Sequence, residues 1–162
     1  MRIIGNEHVQ RALEVAIKGN HSILIIGNRR NTIEDKEPLS ANVALVSPCP
    51  CGNHLDARSD ARIECTCILE EVLTHRREFP HCDIKIELVR PRFDDLISAK
   101  LFKGISEPVN QLLRIAYDKL RLTVQDIVDV LAVAKTISVL DGSTEIKPQH
   151  VAEAIQYKSL RW

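Results

Sequence analysis

Apolar positions change their period several times along the chain. Val9, Ala12, Leu13, Ala16 and Ile17 recur at i, i+3, i+4, i+7 and i+8, the single buried stripe of an amphipathic helix. Asn6 stands where an N-cap would, and Gly19-Asn20 where such a helix would stop. Ile23-Leu24-Ile25-Ile26, ending at Gly27, is a short apolar run beside a helix and predicts a strand buried on both faces. From residue 28 to residue 40 the chain is polar and charged, which predicts an exposed connection. Val43-Ala44-Leu45-Val46 then predicts a second buried strand.

Residues 49–67 fit neither period. After them a short helix is predicted with Ile68, Leu69, Val72 and Leu73 inward and Glu70, Glu71, Arg76 and Arg77 outward. Ile84, Ile86 and Leu88 alternate with Lys85 and Glu87, the pattern of a half-buried strand, and Pro91 closes it. Residues 93–100 predict another short helix. In the last third, Ser106 can cap a helix with Pro108 in its first turn, burying Val109, Leu112, Leu113, Ala116, Tyr117 and Leu120. Thr123 and Asp126 form a capping-box pattern ahead of Ile127, Val130, Leu131, Ala134 and Ile137, and the helix should end near Asp141-Gly142. Lys147-Pro148 opens a third helix with Val151, Ala154 and Ile155 inward. Helices this short need one another's faces to persist.

The expected class is therefore α/β: a reduced sheet of about three strands with flanking helices, a cysteine-rich loop and a C-terminal three-helix bundle. The expected division is residues 1–104 for the α/β core and residues 105–162 for the helical subdomain. Composition adds little to this. The 162 residues are 44% hydrophobic and 27% charged, which suits a globular chain. Twenty-two basic and 22 acidic residues give no net charge, so there is no electrostatic case for nucleic acid or an anionic membrane as the main partner. No signal-peptide core and no run able to span a bilayer is visible, and a cytoplasmic protein is expected. Disulfides are uncommon in that compartment, so the five cysteines need another account.

Four of them pair. Cys49-Pro50-Cys51 and Cys65-Thr66-Cys67 are two CxC motifs separated by residues 52–64. Four thiolates on two turns can surround a tetrahedral zinc ion at roughly 2.3 Å each. CxC is tighter than the familiar CxxC and less diagnostic. The segment between the pairs is too polar to build a core, and a metal would supply its ordering free energy. The expected role is structural zinc, with His54 as an alternative ligand. Free thiols or a disulfide, and redox chemistry, are the competing readings. Cys82 stands apart as a small apolar side chain.

These cysteines also carry a resemblance. Ser47-Pro48-Cys49-Pro50-Cys51-Gly52, followed by Cys65-Thr66-Cys67, resembles the NPCPCG…CxC signature of magnesium-chelatase-like AAA+ ATPases, which include competence-associated helicases. Residues 4–14 are similar to that family's opening helix, and residues 21–27 to the strand entering its phosphate loop. Residues 133–157 are similar to its helical lid.

The departures decide what the resemblance implies. A phosphate loop needs GxxxxGK[ST], whose glycines, lysine and hydroxyl meet phosphate and magnesium. Gly27 is followed instead by Asn28-Arg29-Arg30-Asn31-Thr32-Ile33-Glu34-Asp35, without the second glycine or the lysine. Only residues 28–48 separate Gly27 from the cysteines, and the family's long stretch with its magnesium-holding acid is missing there. The family's sensor asparagine falls at Ser47, its D-R-I-D arginine at His81, and its lid arginine at Gln125. Every group that would neutralise phosphate charge is replaced. The resemblance thus implies a shortened, degenerate relative with no catalytic residues, no expected ATP site near Gly27, Asn28, Arg29, Ser47 and Gln125, and no ATP turnover. It implies a binding or scaffold role, with the chain itself or an intact AAA+ family member as partner. A nucleotide site completed by a partner, or weak nucleic-acid binding, are the alternatives.

Other polar groups have plainer readings. Arg29-Arg30 and Arg76-Arg77 suit a solvated loop and a helix C-terminus. His75, His81 and Cys82 lack regular ligand spacing. Asp94-Asp95 suit a helix's first turn, and Trp162 a packing or interface position.

Overall fold

The computed structural model describes residues 2–33, 42–52, 65–102 and 104–159; His54 and Trp162 lie outside them. Two units are distinguished, Met1–Pro91 and Arg92–Trp162, so the short helix at Phe93 groups with the C-terminal helices rather than with the sheet.

In the first unit, β1 (Arg2–Ile3) leads into α1 (Glu7–Gly19), and Asn20 ends the helix in the left-handed conformation, at φ 53°. Then come β2 (Ile23–Gly27), a 3-10 turn (Arg29–Asn31), β3 (Thr32–Ile33), β4 (Val43–Val46), α2 (Leu69–Arg77) and β5 (Ile84–Leu88). The main sheet is parallel, in the order β4-β2-β5, with Ile23 beside Val43 and Ile84, and Ile25 beside Leu45 and Ile86. That register aligns one row of side chains on one face. Val9 and Ala16 of α1 pack on it with Ile3 and Leu88 to make the unit's core.

β2 is the strand buried on both faces, with Ile23, Leu24 and Ile25 excluded from solvent. β4, expected to be equally buried, is half-buried throughout because it is the sheet's edge. The expected exposed connection after Gly27 also departs from its reading. Residues 29–33 form the 3-10 turn and β3, which pairs antiparallel with β1, and Asn31 and Thr32 are buried. Residues 34–40 of that connection lie outside the described residues.

Two helical stripes were overdrawn by periodicity. Ile17 of α1 is 66% exposed, and on α2 only Val72 is buried, while Ile68, Leu69 and Leu73 face solvent. Helical spacing shows that a stripe exists, not that a neighbour covers it. Asn6 precedes α1 as expected but makes no side-chain cap. Its amide instead donates to the carbonyls of Ile4 and Val89 and accepts from the Val89 N–H, joining the helix start to the end of β5. At the other end of the strands, the Asp83 carboxylate accepts from both the N–H and the hydroxyl of Ser22, and the Ser22 hydroxyl oxygen accepts from the Asp83 N–H.

The second unit comprises α3 (Phe93–Ser98), α4 (Glu107–Lys119), α5 (Val124–Leu140) and α6 (Pro148–Ser159). The three expected long helices are present, and α3 joins them: Phe93 packs 5.7 Å from the Tyr117 ring, and Asp94 pairs with Arg114. The capping box of α5 forms, with the Thr123 N–H donating to Asp126 at 2.9 Å and the Asp126 N–H to the Thr123 hydroxyl at 3.2 Å. Leu113, Ile127, Val130, Ala134 and Val151 fill the interior, whereas Leu120, read as buried, is 40% exposed. His150 is also buried. Its Nδ1 accepts from the Lys147 N–H at 3.1 Å, so Nε2 carries the proton that faces Asp141 at 3.3 Å. No helix among the described residues is long and apolar enough to cross a membrane.

Candidate metal centre

The two CxC motifs become one site by different local means. Beyond β4, the Gly52 N–H donates to the Cys49 carbonyl at 3.0 Å, closing a tight turn over Cys49-Pro50-Cys51-Gly52. Proline presets the turn's second position and glycine supplies its last, at φ +83°. A Cβ on Gly52 would meet nothing within 4 Å, so the backbone angle, not space, asks for glycine there. The turn folds the Cys51 thiol back to 3.3 Å from that of Cys49, which is fully buried.

The second arm runs without helix or turn from Cys65 into the first turn of α2. In extended chain, positions i and i+2 share a side, which is how a CxC can aim both sulfurs at one point. The start of α2 is fixed by Glu71, whose carboxylate accepts from the Ile68 N–H at 3.0 Å. His75, one turn further on, donates from Nε2 to the Ser47 carbonyl at 3.0 Å and so ties the helix to the chain entering the first arm. Its ring meets Phe79 edge-on.

All four sulfurs lie within 4.8 Å of one another, and among the described residues no other group of three or more potential ligands converges. The Cys65 sulfur is 3.7 Å from that of Cys49 and 3.6 Å from that of Cys51. A zinc–sulfur distance of about 2.3 Å gives tetrahedral ligands spaced about 3.8 Å apart. The three separations, 3.3, 3.6 and 3.7 Å, fall about 0.1–0.5 Å short of that edge. All five cysteines are free thiols. Four sulfur donors without oxygen suit a soft or borderline ion such as zinc rather than magnesium or calcium.

The electrostatics agree with that donor set. Burial first, and then the neighbouring thiols, push the Cys65 thiol up. At Cys67 a hydrogen bond from the Cys51 backbone pulls downward, but burial and the Cys51, Cys49 and Cys65 thiols outweigh it and push the thiol up to about 12. Both shifts favour the protonated thiol at Cys65 and Cys67. A divalent cation is what allows all four to become thiolates together.

The other positions singled out from sequence do not join the centre. Gly27 closes the central strand where an added Cβ would lie 2.6 Å from both the Cβ and the carbonyl oxygen of Leu88, so its smallness serves strand packing. Asn28 caps the 3-10 turn, accepting from the Arg30 N–H at 3.0 Å, and Arg29 and Arg30 are exposed on that turn. Ser47 contributes its carbonyl to His75. Gln125 donates to Asp129 at 2.9 Å within α5. His81 and half-buried Cys82 belong to the chain entering β5; His75, grouped with them in sequence, serves α2. The helix-anchoring part of His75 gave no signal in the sequence, because its partner is a backbone carbonyl 28 residues away.

No curated protein and no solved structure matches the chain. Residues 97–158, from within α3 to the last turns of α6, match the family model described as magnesium chelatase, subunit ChlI C-terminal, which supports a magnesium-chelatase-like character for the helical unit.

Proposed function

We propose that this chain is a shortened magnesium-chelatase-like AAA+ relative that has no ATPase activity and works as a binding or assembly module, with structural zinc in its cysteine centre. The observation that carries the first part is the chain that follows β2. Where a phosphate loop would wrap a triphosphate with backbone N–H groups and a lysine, residues 28–33 make a capped 3-10 turn and a strand paired to β1. Three of its donors are committed to protein: the Arg30 and Asn31 N–H groups donate to Asn28, and the Thr32 hydroxyl to the Arg29 carbonyl. Gly27 is accounted for by Leu88. Neither Ser47 nor Gln125 supplies a cation, and Gln125 is already bonded to Asp129.

The zinc assignment is supported by sulfur spacing and donor chemistry, and it gives the centre a structural task. It joins the turn after β4 to the start of α2, a helix that buries only Val72 and has little packing of its own. The proposed assembly role is with the chain itself or with an intact family ATPase; a helical unit like that family's is compatible with it, since a docking face does not depend on ATP chemistry.

Two measurements test this. A magnesium-dependent ATPase assay on homogeneous protein is expected to give no turnover, and activity that tracks the protein through purification overturns the reading. Calorimetric titration with ATP and ADP is expected to show no binding. Tight magnesium-dependent binding would make the chain a nucleotide site completed by a partner instead.

A further inference from the structure

Alongside the cysteine centre lies a surface groove of about 340 Å³, lined by Pro50, Ile68, Glu70, Glu71, Thr74, His75 and Glu78. We infer that this groove docks a basic segment of a partner protein, one carrying lysine or arginine next to an apolar side chain. The inference rests on the thiolate centre proposed above, because Pro50 sits between two of its cysteines and Ile68 directly follows a third.

The walls are chemically lopsided. Pro50 and Ile68 give an apolar wall, and Ile68 is 62% exposed despite its size. The lining holds three carboxylates and no lysine or arginine: Glu70 and Glu71 on α2 and Glu78 at its C-cap, at the helical spacing of Thr74 and His75. Glu71 is committed to capping Ile68. Glu70 and Glu78 have no ion-pair partner among the described residues, although Arg76 and Arg77 lie on the same helix. His75 is committed to the Ser47 carbonyl. Two carboxylates without an ion-pair partner among the described residues, beside the apolar wall of Pro50 and Ile68, are the complement of a basic, partly apolar peptide. An acidic segment, a nucleic acid or an anionic membrane would meet like charge.

The groove's shape should depend on the metal. Pro50 and Ile68 stand on different chain segments, which the four sulfurs bring together, so removing the ion frees one wall from the other.

The test uses the full chain, its zinc content measured on every sample, and a fluorescein-labelled peptide of alternating lysine and leucine. A peptide with glutamate for lysine is the control. Fluorescence anisotropy is expected to show binding of the lysine peptide only, weakened by salt. Replacing two exposed carboxylates by the double change Glu70→Lys, Glu78→Lys is expected to weaken it about tenfold, a factor of a few for each exposed charge, with zinc content unchanged. Chelation is expected to remove binding in the unaltered protein. Equal binding of both peptides, or full affinity in the zinc-replete double variant, overturns the docking proposal. If the purified protein holds no zinc, the centre's reading fails separately, and the charge-reversal comparison still decides the groove.

Discussion

The sharpest consequence of the cysteine geometry is a metal dependence of stability confined to the first unit. In a regular tetrahedron of sulfurs, edges of 3.3–3.7 Å, as between Cys49, Cys51 and Cys65, correspond to ion–sulfur distances of about 2.0–2.3 Å, so at these three thiols zinc enters with displacements of a few tenths of an ångström. Such movements are small against the freedom of two short arms, and binding should not strain the sheet. A ligand held at a thousand times its dissociation constant stabilises the folded state by about 4 kcal/mol. For a unit of this size that corresponds to a melting shift of roughly 15–30 °C. The expected outcome is one zinc per chain by elemental analysis, and a large fall in melting temperature when a strong chelator is added. Cys49→Ser should lower the melting temperature to that of the chelated unaltered protein, and the variant should be indifferent to chelator. The last comparison matters because Cys49 is fully buried, and serine there also buries a hydroxyl. A packing defect would leave the chelator response intact. Cys82→Ser, outside the centre, should leave zinc content unchanged. If the purified protein contains no metal, and four thiols react with a disulfide reagent as fast as Cys82 does, the argument from spacing is wrong.

Further outcomes follow from single contacts. In metal-stripped protein, Cys67 is raised from 9.0 to about 12; a thiol whose folded pKa is raised contributes stability that is present below pH 9 and lost as pH climbs toward 12, so chemical denaturation should show the stripped form weakening across that window. The zinc form should behave oppositely at low pH, losing its ion as protons compete for the thiolates. The Asp83 carboxylate is held below the usual range by the Ser22 N–H first and the Ser22 hydroxyl second. Its contribution is present above the unfolded carboxylate value and lost as pH falls through the folded one. Ser22→Ala should move the Asp83 titration upward in an NMR pH series, and an unmoved curve refutes the assignment. Gly27→Ala should cost about 1–3 kcal/mol in urea unfolding, from overpacking against Leu88; a phosphate-loop role would predict instead a change in nucleotide affinity at constant stability. In the helical unit, Thr123→Ala should cost about 1 kcal/mol through the lost cap, and full stability in the variant would show that Asp126 alone holds the helix start.

Legibility in the sequence divides by the range of the interaction. The cap at Thr123 and Asp126, the proline-led start of α4 and the central strand at Ile23 were readable because each signal and its physical effect lie within a few residues. The cysteine spacing was readable as two pairs able to converge, since the i, i+2 relation survives without coordinates, and the four sulfurs do converge. The bond from His75 to Ser47, the Asn6 link to Val89 and the pairing of β3 with β1 were not. Each joins groups far apart along the chain, and nothing in the composition of either end announces the other. The exposed Ile68, Leu69 and Leu73 show the same limit for apolar contacts. Their spacing is that of a buried stripe, and whether it is buried depends on a neighbour that a one-dimensional pattern cannot supply.

That failure at α2 also bears on function. A helix whose intrinsic pattern asks for burial, but which buries only Val72, keeps its place through its ends: Glu71 on Ile68 at one, His75 on Ser47 further along, and Cys67 immediately before it. Removing the ion should therefore loosen α2 before it unfolds the sheet, because the core of Ile23, Ile25, Val9 and Ala16 uses none of those ties. Hydrogen exchange with and without chelator distinguishes the two. Amides of residues 69–77 should lose protection first while those of 23–27 keep theirs, and simultaneous loss in both would mean that the centre supports the whole unit rather than this one helix.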